Sequence, residues 1–265
     1  MTLPNLDGLL RPLSARSLIA SALLGSHPPS LPGRLLVAMA ERFGISGGTA
    51  RVALSRMVDR GELTNLDGVY TLGTSLPERQ SRQDGSRQTP QCWDGAWEQV
   101  VITTTGRSAA DRGRLRRELT TLGLGELREG VWMRPANLDP LRQPRARSSV
   151  AEQTERLTVA PIDTAQGRGL VEQLFELGDW ADTAIVLHDA LLATNNRLDA
   201  ADPADDAVVT GFNLAAATLR HFVHDPQLPA ELMPADWPAD RLREAYTNYE
   251  RSYQQLLRDF FRSVR

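Results

Sequence analysis

Residues 45–63 read ISGGTARVALSRMVDRGEL, and this stretch decides the fold of the N-terminal part of the chain. With Ser46 as the N-cap, apolar residues recur at intervals of three and four, which places them on one stripe of an α-helix. These residues are Ala50, Ala53, Leu54, Met57 and Val58. Gly61 follows, and glycine is the usual residue just beyond a helix C-terminus. The pattern predicts an amphipathic helix over residues 46–60.

The opposite side of this predicted helix carries small and polar residues. It holds Gly48, Thr49, Val52, Ser55, Arg56 and Asp59. Small polar groups beside an Arg suit a helix that enters a DNA major groove about 12 Å wide, where Val52 would meet a thymine methyl group. An ordinary amphipathic surface helix is the alternative. The predicted DNA contacts are Ser46, Thr49, Arg51, Val52, Ser55, Arg56 and Asn65.

The segments on either side of residues 45–63 also fit a DNA-binding fold. Residues 14–24 and 32–43 have helical patterns that end near Gly25 and Gly44, and the turn signal Asp67-Gly68 separates two short apolar segments. Three helices followed by a hairpin predict a winged helix-turn-helix. Its hairpin tip, residues 65–69, contains no Arg, so phosphate contact there depends on Asn65 and on backbone amides.

The rest of the chain divides into a mixed and a helical part. A strand over residues 100–105, a helix over 108–122, a strand at 131–133 and a last strand over 157–162 predict a small ferredoxin-like domain. From residue 164 the pattern is helical, over residues 164–177, 179–198, 205–224 and 239–263, with a Pro-rich loop over 226–238. We therefore predict an α+β multidomain protein with a winged helix-turn-helix over residues 1–75, a central ferredoxin-like domain over 92–163 and a C-terminal α-helical domain over 164–265, with linkers at 72–91 and 138–152.

Composition narrows the functional class. The 265 residues include one cysteine, Cys92, which excludes a disulfide framework, and every basic residue is Arg. Residues 1–147 hold 20 Arg and 14 acidic residues, whereas residues 148–265 hold 10 Arg and 19 acidic residues. A polyanion would therefore bind the first half. No apolar run approaches the roughly 18 residues that span a bilayer, so we expect a cytoplasmic protein without a membrane contact.

Five segments together resemble the PaaX family of bacterial transcriptional regulators. They are SARSLIASALLG (14–25), ISGGTARVALSRMVDRGEL (45–63), WDGAWEQVVI (93–102), LRRELTTLGLGELREGVWMRP (115–135) and HDPQLPAELMPADWP (224–238). The resemblance covers the chain from about residue 14 to its last helix. It implies a homodimer that binds a double-stranded DNA operator. The best-known members of the family repress catabolic operons and are released by an aryl-acyl-CoA thioester, so the resemblance implies a repressor of this kind.

A cluster of Arg residues near residue 110 is the candidate effector site. Five guanidinium groups between residues 107 and 117 would bind the phosphates of a CoA moiety bidentately, with the acyl group under the Pro-rich loop that ends at Trp237. A solvated basic helix face is the alternative. The predicted effector contacts are Arg107, Arg112, Arg116 and Trp237.

The sequence favours neither a metal site nor a catalytic site. His221, His224 and Asp225 have helical spacing and would join His188 in a metal site, but hydrogen-bonded structural roles are favoured, and we predict neither a metal nor a cofactor. The strand that ends at residue 106 lacks the carboxylate that ferredoxin-like CRISPR-associated nucleases place there, so we predict no enzyme. A degenerate nuclease and a regulator controlled by protein partners stay open.

Overall fold

The computed structural model describes residue 9 and residues 13–26, 28–73, 93–139, 143–198 and 206–264. These residues form two units, and the chain passes between them more than once. The N/C unit lies within Met1–Arg87, Thr183–Val223 and Pro238–Arg265, and the central unit lies within Gln88–Asp182 and His224–Trp237. The chain is thus a mixed α and β protein of several parts, and most of the predicted linker at 72–91 lies outside the described residues.

The N-terminal part of the N/C unit consists of three helices and a three-stranded antiparallel sheet. Its elements are α1 (Ala15–Leu24), β1 (Ser30–Pro32), α2 (Gly33–Arg42), α3 (Gly47–Asp59), β2 (Leu63–Leu66) and β3 (Val69–Leu72). The strand order is β1-β3-β2. The three predicted helices and the hairpin are therefore present, while β1 is an additional strand that the sequence did not indicate.

The hairpin turn explains why β2 and β3 pair in register. Asp67 and Gly68 both adopt positive φ angles, 51° and 80°. This geometry belongs to the type I′ turn, whose twist matches that of paired strands, and Asp-Gly is among its preferred sequences. The Asn65 side chain accepts a hydrogen bond from the Gly68 amide at 3.1 Å, which closes the turn.

The central unit follows the order β-α-β-β-α-β, which is the ferredoxin-like order. Its elements are β4 (Trp97–Ile102), α4 (Ala109–Thr121), β5 (Gly125–Arg128), β6 (Val131–Pro135), α5 (Pro144–Ala151) and β7 (Thr154–Val159). All neighbours in the sheet order β5-β6-β4-β7 are antiparallel. Apolar clusters cover both sheet faces, one around Trp97 and Met133 and the other around Val100 and Trp132.

Two predictions for the central unit were wrong in detail, and one strand was not predicted. Residues 138–152 are not simply a linker, because they contain α5, which begins at Pro144 and buries Val150 against the core. Strand β5 was missed because GELR is a polar edge strand without apolar alternation. The last strand ends at Val159 rather than at residue 162, with Pro161 close behind it, and proline cannot donate to a strand ladder.

The remaining helices agree with the predicted helical segments. They are α6 (Thr164–Leu174), α7 (Leu177–Leu198), α8 (Ala207–Val223) and α9 (Ala239–Ser263), with a short 3-10 helix at Ala230–Leu232. Helix α6 belongs to the central unit, α7 begins there, and α8 and α9 belong to the N/C unit. Within the described residues, no helix combines the length and the apolar character that crossing a membrane requires.

Helices α8 and α9 approach each other closely at Gly211. A β-carbon there would lie 2.6 Å from the Tyr253 ring, so no larger residue fits without displacement. Two buried tyrosines of α9 donate hydrogen bonds to carbonyls of α8, Tyr249 to Gly211 and Tyr253 to Val208, both at 2.9 Å. Burial raises the pKa of both phenols well above its ordinary value.

Candidate nucleic-acid interface

Helix α3 is held in place by its apolar stripe. Ala50, Leu54 and Met57 are fully buried, and α1 and α2 both pack against α3. At the start of the helix, Ser46 accepts a hydrogen bond from the Thr49 amide at 3.2 Å, which caps the helix as predicted. These contacts confirm the predicted orientation of the helix.

The other face of α3 is exposed over its whole length. Gly48, Thr49, Val52, Ser55, Arg56 and Asp59 are all exposed. Val52 is an apolar residue with 50% of its surface exposed, which confirms the prediction that it does not belong to the core. The exposed face therefore combines hydroxyl groups, an apolar side chain and charged groups.

Three exposed Arg residues lie on α3 and just after it. In the part of the chain that the structure describes, the side chains of Arg51, Arg56 and Arg60 form neither a hydrogen bond nor an ion pair, and all three are exposed. By contrast, Arg16 pairs with Glu62 at 2.8 Å. Three unpaired guanidinium groups on and after one helix provide strong donors for an external anion.

Arg60 and Leu66 were not among the predicted contacts. Arg60 lies four residues beyond Arg56 and directly follows α3, so the i, i+4 spacing was the signal that identifies it. Leu66 stands beside the turn of the hairpin and has 76% of its surface exposed. An apolar residue adjacent to a turn dipeptide is the corresponding signal in the sequence. Asn65 is exposed, and its side-chain oxygen is used by the turn.

Three of the predicted effector residues, Arg112, Arg116 and Trp237, have side-chain partners within the fold. Arg112 donates to the Arg107 carbonyl at 2.7 Å, and Arg116 pairs with Glu126 while its guanidinium lies 5.7 Å from the centre of the Trp132 ring. Trp237 stacks on Trp180 with ring centres 4.8 Å apart. Among the described residues, no hydrogen bond, ion pair or ring contact connects Trp237 with these arginines.

The central sheet holds one buried carboxylate, Glu98 on β4. It has 8% of its surface exposed and forms ion pairs with Arg156 at 2.9 Å and with Arg147 at 3.5 Å. Burial lowers the pKa of Arg147, and the charge of Glu98 acts in the opposite direction. The three side chains connect β4, α5 and β7, so Glu98 has a structural role in this sheet.

The histidines considered for a metal site do not form a cluster with other ligands. His188 Nδ1 lies 3.0 Å from the neighbouring Asp189 carboxylate. The described ranges contain no group of three or more His, Cys, Asp or Glu side chains arranged to hold a metal ion. His221 has an interaction of its own within the fold.

Three family profiles match segments of the chain between residue 14 and residue 263. The profile of a PaaX-like protein matches residues 14–74, that of the PaaX protein central Cas2-like domain matches residues 90–171, and that of the PaaX-like protein C-terminal domain matches residues 183–263. No curated protein matches significantly.

A solved structure agrees with these profiles. The uncharacterized protein Rv0674 from Mycobacterium tuberculosis is 36% identical, with a TM-score of 0.72, over 94% of this chain and 99% of that chain. The likeness extends over nearly the full length of both chains. The chain therefore belongs to the PaaX family, which is a family of regulators.

Proposed function

We propose that this protein is a DNA-binding transcriptional regulator whose N-terminal winged helix-turn-helix reads its operator through α3. The observation that carries the proposal is the exposed face of α3, where half-exposed Val52 lies among hydroxyls and unpaired guanidinium groups. The 13 residues of α3 extend over about 20 Å at 1.5 Å per residue, enough to lie along a major groove.

Each predicted contact has a role in this proposal. Ser46 and Thr49 lie at the N-terminus of α3, where hydroxyls and backbone amides suit a phosphate. Val52 and Ser55 meet base edges, and Arg56 donates to a guanine. Arg51 lies beside this face and binds a phosphate. The hairpin uses Asn65 and the exposed Leu66 in place of basic side chains.

The DNA-binding proposal is tested with a labelled duplex that covers the region upstream of the protein's own gene. We expect binding at physiological salt that is at least tenfold tighter than to a shuffled duplex of equal length, because base contacts add specificity to phosphate attraction. Equal binding to both duplexes would argue for a regulator that acts through protein partners.

The proposal includes a homodimer, because operator half-sites one helical turn apart, about 34 Å, require two recognition helices. Each protomer has a mass of 29.2 kDa. Sedimentation equilibrium should give twice this mass at micromolar concentration. A monomer at the concentrations that saturate the operator would contradict the dimer.

Repression of a catabolic operon, with release by an acyl-CoA effector at Arg107, Arg112, Arg116 and Trp237, is the regulatory part of the proposal. The charge of the α4 helix and its exposed Arg residues support it. A thermal-shift series of acyl-CoA thioesters, with Arg107→Gln/Arg112→Gln as the variant, tests this site.

We also propose that the protein has no catalytic activity. Glu98, the buried carboxylate of the first central strand, is held by two guanidinium groups. Incubation with single- and double-stranded nucleic acid and Mg²⁺ or Mn²⁺ should leave the substrate intact. Cleavage that disappears in Glu98→Gln would instead support the nuclease alternative.

A further inference from the structure

The N/C unit contains a cavity of about 330 Å³ that is lined by α1, α8 and α9 and opens to solvent. This volume lies within the range of small-molecule sites, about 300–1,000 Å³. Its walls are largely apolar and include Leu24, Phe212, Leu219 and Leu257.

Small residues on two facing helices create the space. Ser17, Ala20 and Ser21 line it from α1, and Ala215 and Ala216 line it from α8. Larger side chains at these positions would fill the cavity. The shape of the cavity therefore depends on the small residues at these positions of α1 and α8.

The polar groups of the cavity favour an anion. Arg16 and Arg220 contribute two positive charges to the lining, and Glu250 contributes one negative charge. Arg220 already donates a hydrogen bond to the Leu9 carbonyl at 3.0 Å, so Arg16 is the residue that we assign to a ligand. Glu250 accepts a hydrogen bond from Tyr246 at 3.4 Å. Arg16 uses its Nε for Glu62, and its two Nη groups form no hydrogen bond with the described residues. A guanidinium with free Nη groups is suited to binding a carboxylate.

Helix α1 lies between the cavity and the proposed DNA-reading helix α3. Helix α1 forms one wall and packs against α3 through its buried face. Arg16 holds Glu62, whose amide donates to the Met57 carbonyl at 2.9 Å at the end of α3. A ligand that competes for Arg16 would thus disturb a contact that fixes the end of α3.

We infer that this cavity binds a small amphipathic carboxylate, with its apolar body among α1, α8 and α9 and its carboxylate at Arg16, and that this ligand regulates α3. The regulatory half rests on the proposed DNA binding, whereas the binding half does not. The residues that line the site include none of the Arg residues of α4.

Calorimetry on the full-length protein without DNA tests the binding half, with decanoate as the probe. We expect one site per protomer, and we expect 1-decanol and decylamine to bind at least tenfold more weakly than decanoate, because they lack the anionic group. Arg16→Gln should lower decanoate affinity at least tenfold and leave decanol affinity within twofold, and Arg251→Gln on α9 is the matched control.

Filling the cavity tests its location. Ala216→Trp should lower decanoate affinity at least tenfold, while Thr210→Trp, on the exposed side of the same helix, should change it less than twofold. Ala216→Leu provides a milder variant if the larger one does not fold, as checked by circular dichroism. Unchanged affinity in the folded Ala216 variants overturns the site, as does tighter binding of decylamine. If decanoyl-CoA binds and decanoate does not, the inference that the ligand is a carboxylate is wrong.

The regulatory half is read from operator affinity with and without saturating decanoate. Coupling energies between sites typically correspond to a 5- to 150-fold change in affinity, and we expect a weakening within this range that is lost in Arg16→Gln. A change below twofold with decanoate bound overturns regulation. If the ligand-free protein does not bind DNA, the proposed function fails, and the calorimetric result still decides the cavity.

Discussion

Val52 illustrates how one residue separates a structural from a functional helix face. It is apolar and half-exposed, while Ala50 and Leu54 on either side of it are buried. A rotation of α3 that buried Val52 would also move Arg56 towards the core, and an unpaired buried charge is strongly unfavourable. The exposed position of Val52 is thus maintained by its charged neighbours and by the buried stripe together.

Arg56 and Arg51 should differ in the way their loss affects DNA binding. Arg56→Ala is expected to weaken operator binding by about 1–3 kcal/mol and to relax specificity at one base pair, since a bidentate contact to guanine is lost. Arg51→Ala should weaken all duplexes alike and reduce the slope of log affinity against log salt by about 1, as expected for one phosphate contact.

Fluorescence anisotropy at several salt concentrations distinguishes the two effects. Arg251→Ala on α9 serves as the control, because it removes an exposed Arg from a different element. Retention of full affinity and specificity in the folded Arg51→Ala/Arg56→Ala variant would contradict the role of α3.

Gly211 allows a second test at the level of a residue. Gly211→Ala is expected to destabilise the N/C unit by about 1–3 kcal/mol, the usual cost of overpacking, because the added methyl would meet the Tyr253 ring. Gly169→Ala is the matched control, since its helical position opens on free space and alanine favours a helix by about 1 kcal/mol. Urea unfolding measures both, and equal effects of the two substitutions would disagree with the close approach of α8 and α9.

At the level of elements, the pair α8 and α9 is held together by buried phenols. Tyr249 and Tyr253 stack on each other with ring centres 6.1 Å apart and donate to carbonyls of α8. Their hydroxyls keep the two helices in register, since a buried hydroxyl without an acceptor costs about 1–3 kcal/mol.

These phenols should make the N/C unit sensitive to alkali. Their pKa is raised in the folded state, so the unfolded chain loses its phenol protons first, near its ordinary pKa of 10.0. The contribution of these phenols to the free energy of unfolding is then fully present below pH 10. Above pH 10 the free energy of unfolding falls by about 1.4 kcal/mol per pH unit for each phenol.

Urea unfolding from pH 8 to pH 11.5 measures this loss. Tyr249→Phe/Tyr253→Phe should be less stable at pH 8, because two hydrogen bonds are lost, and should decline less steeply above pH 10. An unchanged slope in this variant would show that other groups cause the alkaline loss.

At the level of the whole molecule, two units are built from a chain that leaves the central unit and returns to it. Arg134 fixes the returning segment: with 1% of its surface exposed, it donates to the Gly123 carbonyl and the Asn137 side chain at 3.0 Å and to the Gln227 carbonyl at 3.4 Å. Asn137 also donates to Gln227, at 2.8 Å. The Pro-rich segment is therefore part of the central unit.

Removing this guanidinium should destabilise one unit selectively. Arg134→Met is expected to lower the stability of the central unit by about 3 kcal/mol or more, because several buried carbonyls lose their donor. The N/C unit should keep its own transition, which calorimetry would follow. Tryptophan fluorescence reports the loss in the central unit, since Trp93, Trp97, Trp132, Trp180 and Trp237 all lie there. Arg128→Met, at an exposed position, is the control, and equal losses in both variants would contradict the anchoring role.

Local periodicity in the sequence determined the positions of most helices, the hairpin and the two faces of α3, because these depend on residues within a few positions of each other. It also indicated the ferredoxin-like order, and the family motifs extended this to the whole chain. Strand β5 and helix α5 escaped prediction because each buries too few apolar residues to create a pattern.

The contacts of Arg134 with residue 227, the grouping of α8 and α9 with the N-terminal helices and the cavity beside α1 were decided by tertiary structure alone. Each joins residues that lie some 90 or more positions apart in the chain. No local pattern encodes such a meeting, because it results from packing whole elements against one another, and the space left between their small residues exists only once they are packed.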